Sequence, residues 1–270
     1  MSGILDELAE RVLIWDGAMG TELLRKGASL AQGLDSLNLT QPQWVREIHE
    51  AYVGAGADII ETNTFGGNRT RLEAVGMADS LIEINEAGVR LARSAAGDTA
   101  WVAGCVGPLG RGVVNPFEVF YEQAKVLCGA GVDLLVLETF ADVDEMDAAI
   151  RACRAVRGDI AIAAHATVGA SGEVPEELLA RFEDWPVDIV GLNCSFGPGP
   201  MLLSIESILR RTTKPVSAIP STGFGCTPEE FSAFAQQFIE AGVRLIGGCC
   251  GITPAHIAKI SASSRDYRPS

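Results

Sequence analysis

Eight short apolar runs, separated by longer amphipathic stretches, constrain this chain more than any other feature. They are VLIWDG (12–17), DIIETNTF (58–65), WVAGCVGP (101–108), LLVLETF (134–140), IAIAAHATV (160–168), DIVGLNCS (188–195), PVSAIPS (215–221) and LIGGCC (245–250). Near-continuous hydrophobicity over so few residues suits parallel strands covered on both faces by helices. Several intervening segments end on glycine: GAGAD before the second run, GAGVD before the fourth, EAGVR before the eighth. Glycine there supplies the left-handed backbone that terminates a helix. In TQPQW and TPEEF, Thr and Pro stand where an N-cap and a first turn belong. Eight such units in 270 residues predict an α/β chain folded as a single (β/α)8 TIM barrel over residues 1–265, with a short tail at 266–270. A doubly wound open sheet is the competing architecture. No G-x-G-x-x-G follows the first run, and DGAMGTELL has the wrong spacing for one.

Function classes narrow next. A net charge of −14 argues against a nucleic-acid partner held by a basic surface. No run approaches 18 apolar residues, and the N-terminal MSGILDELAERVLIWDG has no basic leader followed by an apolar block. A cytoplasmic protein without a membrane partner is expected. Seven cysteines, odd in number and irregularly spaced, fit a reducing compartment with thiols buried or bound to metal.

In a barrel the active site forms at the C-terminal ends of the strands. Those ends carry Asp16, Glu61-Thr62-Asn63, Glu138-Thr139, His165 with Thr167, Asn193-Cys194-Ser195, Ser221-Thr222 and Cys249-Cys250. Cys194 and the Cys249-Cys250 pair end the sixth and eighth runs. Strands two apart point inward in one layer, so the three thiols can meet, and thiolates suit Zn²⁺. For adjacent cysteines to share an ion the strand must break its alternation, which Gly247, Gly248 and Gly251 permit. The alternatives are buried small hydrophobes or a strained vicinal disulfide. Cys105, Cys128, Cys153 and Cys226 read as core or surface fillers, and Trp44, Tyr52 and Tyr121 as packing residues. His49 and His256 read as surface residues. His165 reads as a mouth residue, touching substrate or hydrogen-bonded within the barrel.

The blocks DGAMGTELLRKG (16–27), ETNTFGGNR (61–69), LLVLETF, GLNCSFGP (191–198) and GGCCGITP (247–254) resemble the homocysteine S-methyltransferase family. That family includes the homocysteine-binding module of cobalamin-dependent methionine synthase and betaine–homocysteine methyltransferase. The resemblance implies a zinc-bearing barrel with Cys194, Cys249 and Cys250 as metal ligands and catalytic residues. It further implies that the homocysteine sulfur joins the metal, displacing a weak fourth ligand, and leaves as methionine. Asp16 and Glu138 would hold the amino group, the amides of Gly17, Ala18 and Met19 the carboxylate, with Asn193 beside them. A free thiol, near pKa 8.5, is deprotonated by bound Zn²⁺, so no separate general base is needed.

Two departures stand out. PSTGFG (220–225) has Ser221 where the family often carries Asn, which leaves the resting fourth ligand open. Thr139 stands where the betaine enzyme has Tyr. The chain ends soon after the helix following the eighth run, so the donor is expected from outside it. A methylcorrinoid partner protein, a small sulfonium or a quaternary amine would serve, and the motif wording leans toward the corrinoid. Two other readings compete. One is a barrel lyase or aldolase using Glu61 and Glu138 with structural thiols, the other a non-catalytic homocysteine-binding subunit.

Overall fold

The computed structural model describes residues 3–110, 112–169, 172–195, 197–222 and 225–264. The expected tail at 266–270 lies outside the described residues, as do Phe196 and, in the turn after the seventh strand, Gly223 and Phe224. All eight predicted strands form: β1 (Leu13–Ile14), β2 (Ile59–Glu61), β3 (Trp101–Val106), β4 (Leu134–Phe140), β5 (Ala161–Ala166), β6 (Ile189–Cys194), β7 (Val216–Pro220) and β8 (Leu245–Ile246). They make one parallel sheet in the order β1-β8-β7-β6-β5-β4-β3-β2. The ends meet. Trp15 bridges Ile59, the Asp16 N–H donates to the Ile59 carbonyl at 3.0 Å, and the Asp58 N–H donates to the Ile14 carbonyl at 2.7 Å. The sheet is therefore a closed (β/α)8 TIM barrel.

Helices among the described residues are α1 (Ile4–Glu10), α2 (Met19–Arg25), α3 (Leu37–Thr40), α4 (Pro42–Gly54), α5 (Arg69–Glu73), α6 (Leu81–Ala96), α7 (Pro116–Ala130), α8 (Val143–Val156), α9 (Glu176–Asp184), α10 (Pro198–Leu209), α11 (Pro228–Ala241) and α12 (Pro254–Ser264). None is long and apolar enough to cross a membrane. Strand residues alternate between two cores. Leu13, Trp15, Ile59, Cys105, Val136, Ile189 and Leu245 fill the barrel interior, while Ile14, Ile60, Val102, Leu135, Val190 and Ile246 pack against the helices. Ile4 and Leu8 of α1 join the interior cluster and plug the end where the strands begin.

The predicted terminators hold: Gly56, Gly131 and Gly242 have φ of 93°, 92° and 113°. Thr227 makes a full capping box with Glu230 ahead of α11. Ahead of α4 the expectation differs, because Thr40 ends α3 and Gln41 occupies the cap position without a side-chain bond. Asp58, Asp133 and Asp188 precede β2, β4 and β6, and each accepts a backbone N–H from the neighbouring strand: Ile14 at 2.8 Å, Val102 at 2.7 Å and Ile162 at 2.9 Å. Each also pairs with an arginine, respectively Arg11, Arg93 and Arg154.

Candidate functional site

At the C-terminal ends of the strands a cavity of about 480 Å³ opens. Asp16, Gly17, Ala18 and Met19 line it, with Glu61, Cys105, Glu138, Thr139, Cys194, Cys249 and Cys250. An outer wall comes from Leu30, Leu34, Asp35, Arg71, Leu72 and Val75. Asn193 stands just behind the cavity surface. Its amide donates to Glu138 Oε2 at 2.7 Å and to Thr139 Oγ1 at 2.8 Å, and its carbonyl oxygen accepts from the Thr139 N–H at 2.7 Å.

The three sulfurs converge because both strands end abruptly. β6 turns at Cys194 and Ser195, whose φ values of 57° and 44° lie in the left-handed region. β8 stops at Ile246, and the chain is then stitched alternately to both neighbours. Gly247 N–H donates to Ala218 O at 3.3 Å, Gly248 N–H to Asp16 O at 3.0 Å and Cys249 N–H to Pro220 O at 3.0 Å. A turn closed by Ile252 N–H on Cys249 O, with Gly251 at φ 88°, then swings Cys250 beside its neighbour. Cys194 Sγ lies 3.9 Å from Cys250 Sγ, and Cys249 Sγ lies 4.0 Å from Cys250 Sγ. The three sulfurs all fall within 4.8 Å of one another, a group that could hold a metal ion. All seven cysteines are free. Contacts from the Cys249 and Cys250 thiols pull the Cys194 thiol far down, and contacts from Cys194 and Cys250 push Cys249 well up.

Opposite the sulfurs lies an acidic wall. Asp16 Oδ2 accepts the Glu61 N–H at 2.9 Å, Glu61 accepts from the Trp15 indole N–H, and Cys105 Sγ donates to Glu138 Oε1 at 2.9 Å. Burial pushes Asp16 and Glu61 well above the ordinary carboxylate range, and the Glu138 charge adds to both; burial also raises Glu138. Thr139, a β-branched residue at φ 64°, marks an irregularity in the β4–β5 register that leaves Glu138 in the cavity wall.

The surface readings of His49 and His256 are corrected, whereas Cys105 packs in the barrel interior as expected, its sulfur also within 4.8 Å of Glu61 and Glu138. Strand parity carried the signal, since Trp101 and Ala103 share the interior with Cys105, the last inward residue of β3. His49 is fully buried in α4, and His256 is 6% exposed, with Nε2 on the Cys226 carbonyl at 3.0 Å. Burial on the apolar face of its helix, not solvent, is what His49 meets. Of the two readings of His165 the hydrogen-bonded barrel residue holds: it is fully buried, 2.7 Å from Ser217 Oγ and edge-on to Trp15. Tyr52 is buried, but its hydroxyl also ties two site loops together through the carbonyls of Ala18 at 3.1 Å and Ile252 at 2.8 Å.

Known proteins resemble this chain over nearly its whole length. The family described as Homocysteine S-methyltransferase matches residues 13–264. Methionine synthase of Mycobacterium tuberculosis is 33% identical over 96% of this chain, and that of Mycobacterium leprae 32%. The chain spans about a quarter of the length of these curated relatives, 25% of each. Among solved structures, the metallated form of the homocysteine methyltransferase MmuM from Escherichia coli superposes with a TM-score of 0.81 at 26% identity, covering 94% of this chain and 96% of that one. Its oxidized form gives 0.83, covering 97% and 98%. By its family match, its near-complete alignment to methionine synthases and its barrel, this chain belongs to the homocysteine S-methyltransferase family.

Proposed function

We propose that this chain transfers a methyl group to the thiol of homocysteine, giving methionine, with a zinc ion held by Cys194, Cys249 and Cys250. The sulfur trio carries the reading. Separations of 3.9 and 4.0 Å lie close to the edge of about 3.8 Å expected between sulfurs of a tetrahedral site with Zn–S bonds near ~2.3 Å. Three protein ligands leave a fourth position for an incoming sulfur. Zinc, when bound, supplies the charge that makes a homocysteine thiol a thiolate at neutral pH.

The chain's own residues bind and orient. Asp16, buried, and Glu138, half-buried in the cavity wall, form no ion pair with Lys or Arg among the described residues, and they receive the substrate ammonium. Asn193 holds Glu138 in place. The substrate carboxylate goes to the first turn of α2, whose N-cap residue Ala18 supplies no side-chain cap. Ala18's own N–H is committed to Ile252 O at 3.1 Å, so Gly17 and Met19 supply the amides. The donor is a methylcorrinoid on a partner protein or a small sulfonium or quaternary amine; the alignment to methionine synthases supports the corrinoid. The barrel acts as one unit over residues 1–265, and seven free cysteines suit the cytoplasm.

Zinc should copurify at about one ion per chain, and Cys249→Ala or Cys194→Ala should lose both zinc and methionine formation. The assay offers homocysteine with methylcobalamin, S-methylmethionine, S-adenosylmethionine or betaine. Full turnover by zinc-free protein would refute the reading.

A further inference from the structure

The end of β6 is a strained point of the site. Cys194 and Ser195 are consecutive non-glycine residues at positive φ, a conformation that persists only where the surroundings over-determine it. Here those surroundings can be named. On the β5 side, Ser195 Oγ accepts the Val168 N–H at 3.0 Å, meets Thr167 Oγ1 at 3.0 Å and donates to the Asn193 carbonyl at 3.0 Å. On the β7 side, the Ser221 N–H donates to the Cys194 carbonyl at 3.3 Å, and Ser221 Oγ donates to Cys194 Sγ at 3.4 Å. Ser221 thus grips both the backbone and the sulfur of one cysteine.

We propose that Ser221 is a positioning residue for the thiolate centre: its hydroxyl aims the Cys194 sulfur and draws charge from it, while Ser195 locks the same turn from the opposite strand. The inference rests on the metal-binding role given to Cys194 above. An O–H donated to an ionised sulfur is a charge-assisted bond, stronger than a neutral one. Its donor competes with the metal for the sulfur lone pairs. Ser221 therefore makes Cys194 a weaker electron donor than it would be alone, while removing the freedom of a side chain on a left-handed turn. The hydroxyl acts on the sulfur and is not itself a ligand.

The test replaces zinc by Co²⁺, whose sulfur-to-metal charge-transfer and ligand-field bands report the donor strength and the donor set. Ser221→Ala should shift the charge-transfer band to longer wavelength with the ligand-field bands retained. Its metal affinity, read by chelator competition, should fall by about ten- to a hundredfold, the loss of aim outweighing the gain in donor strength. Ser221→Thr should restore both, Ser195→Ala should lower affinity without the band shift, and the metal-free variants should melt within a few degrees of the parent. An unmoved band with unchanged affinity overturns the proposal, as does a loss matched by equal destabilisation of the metal-free protein. A changed ligand-field pattern would make Ser221 a ligand and also overturn it. Parent protein that binds neither Zn²⁺ nor Co²⁺ would instead refute the underlying metal reading.

Discussion

A Cβ on Gly248 would stand 2.2 Å from Ile252 Cγ1, and one on Gly247 would stand 2.5 Å from Trp15 Cβ. Neither residue is among the positive-φ glycines, whereas Gly251 is, at 88°. The three glycines around the paired cysteines thus do different work: two admit close approach, one makes the turn. Gly248→Ala should cost about 1–3 kcal/mol through overpacking, and because the displaced segment carries Cys249, chelator competition should show weaker metal binding alongside the shifted urea midpoint. The sequence displayed the cysteines and carboxylates because each ends an apolar run. Cys105 stayed hidden because a cysteine inside such a run looks like any small hydrophobe, and its partners Glu61 and Glu138 come from other strands. His49 was legible in principle: Val45, Ile48, His49 and Tyr52 follow the i, i+3, i+4, i+7 spacing of a buried helix face.

Among elements, the starts of the strands are held by a repeated device that the glycine-rich signals only hinted at. Asp133 accepts the Val102 N–H at 2.7 Å and pairs with Arg93 at 2.8 Å, tying β4 to β3 at the end remote from the cavity. Asp133→Ala leaves that backbone donor without its acceptor and should destabilise the protein by roughly 1–3 kcal/mol, measured by urea unfolding, with methionine formation retained below the transition. Strand existence and helix ends were readable because hydrophobic runs and terminal glycines are local. The plug α1 was not, since Ile4 and Leu8 acquire their meaning only once the strand starts form a ring around them. The bends at Thr139 and Cys194 were equally hidden: both residues disfavour positive φ, and only contacts from neighbouring strands hold them there.

Over the whole molecule, buried ionisable groups set opposing pH dependences. Burial pushes His49 and His165 down to about 3. Below about pH 6.5 the unfolded chain takes up protons that the fold refuses, so stability is lost on acidification by up to about 1.4 kcal/mol per pH unit for each histidine. Among the described residues neither His49 ring nitrogen has a hydrogen-bond partner. His49→Leu should therefore stabilise the protein by an amount that grows as the pH falls from about 6.5 toward 3, measured by urea titrations across that range. Asp35 carries the other sign. Burial pushes it up to about 6, so its cost is absent below the unfolded value near ~3.9 and complete above its folded one. Asp35→Asn, which keeps an acceptor for the Gly66 N–H, should stabilise at neutral pH and do nothing near pH 3.5.

The barrel is also unevenly stitched. β8 and β1 contribute two residues each and β2 three, while β3 to β7 contribute five to seven. The three shortest strands are neighbours, and their ends lead to Cys249 and Cys250, Asp16 and Glu61. Regular strand pairing is shortest there and continues only through irregular backbone bonds, so the amides of β8, β1 and β2 should exchange with deuterium through local opening faster than those of β4 to β6. A ligand anchored at the sulfurs and at Asp16 spans this stretch and closes it. Its arrival should slow exchange along the seam more than anywhere else, so that occupancy of the pocket can be read as the rigidity of a wall.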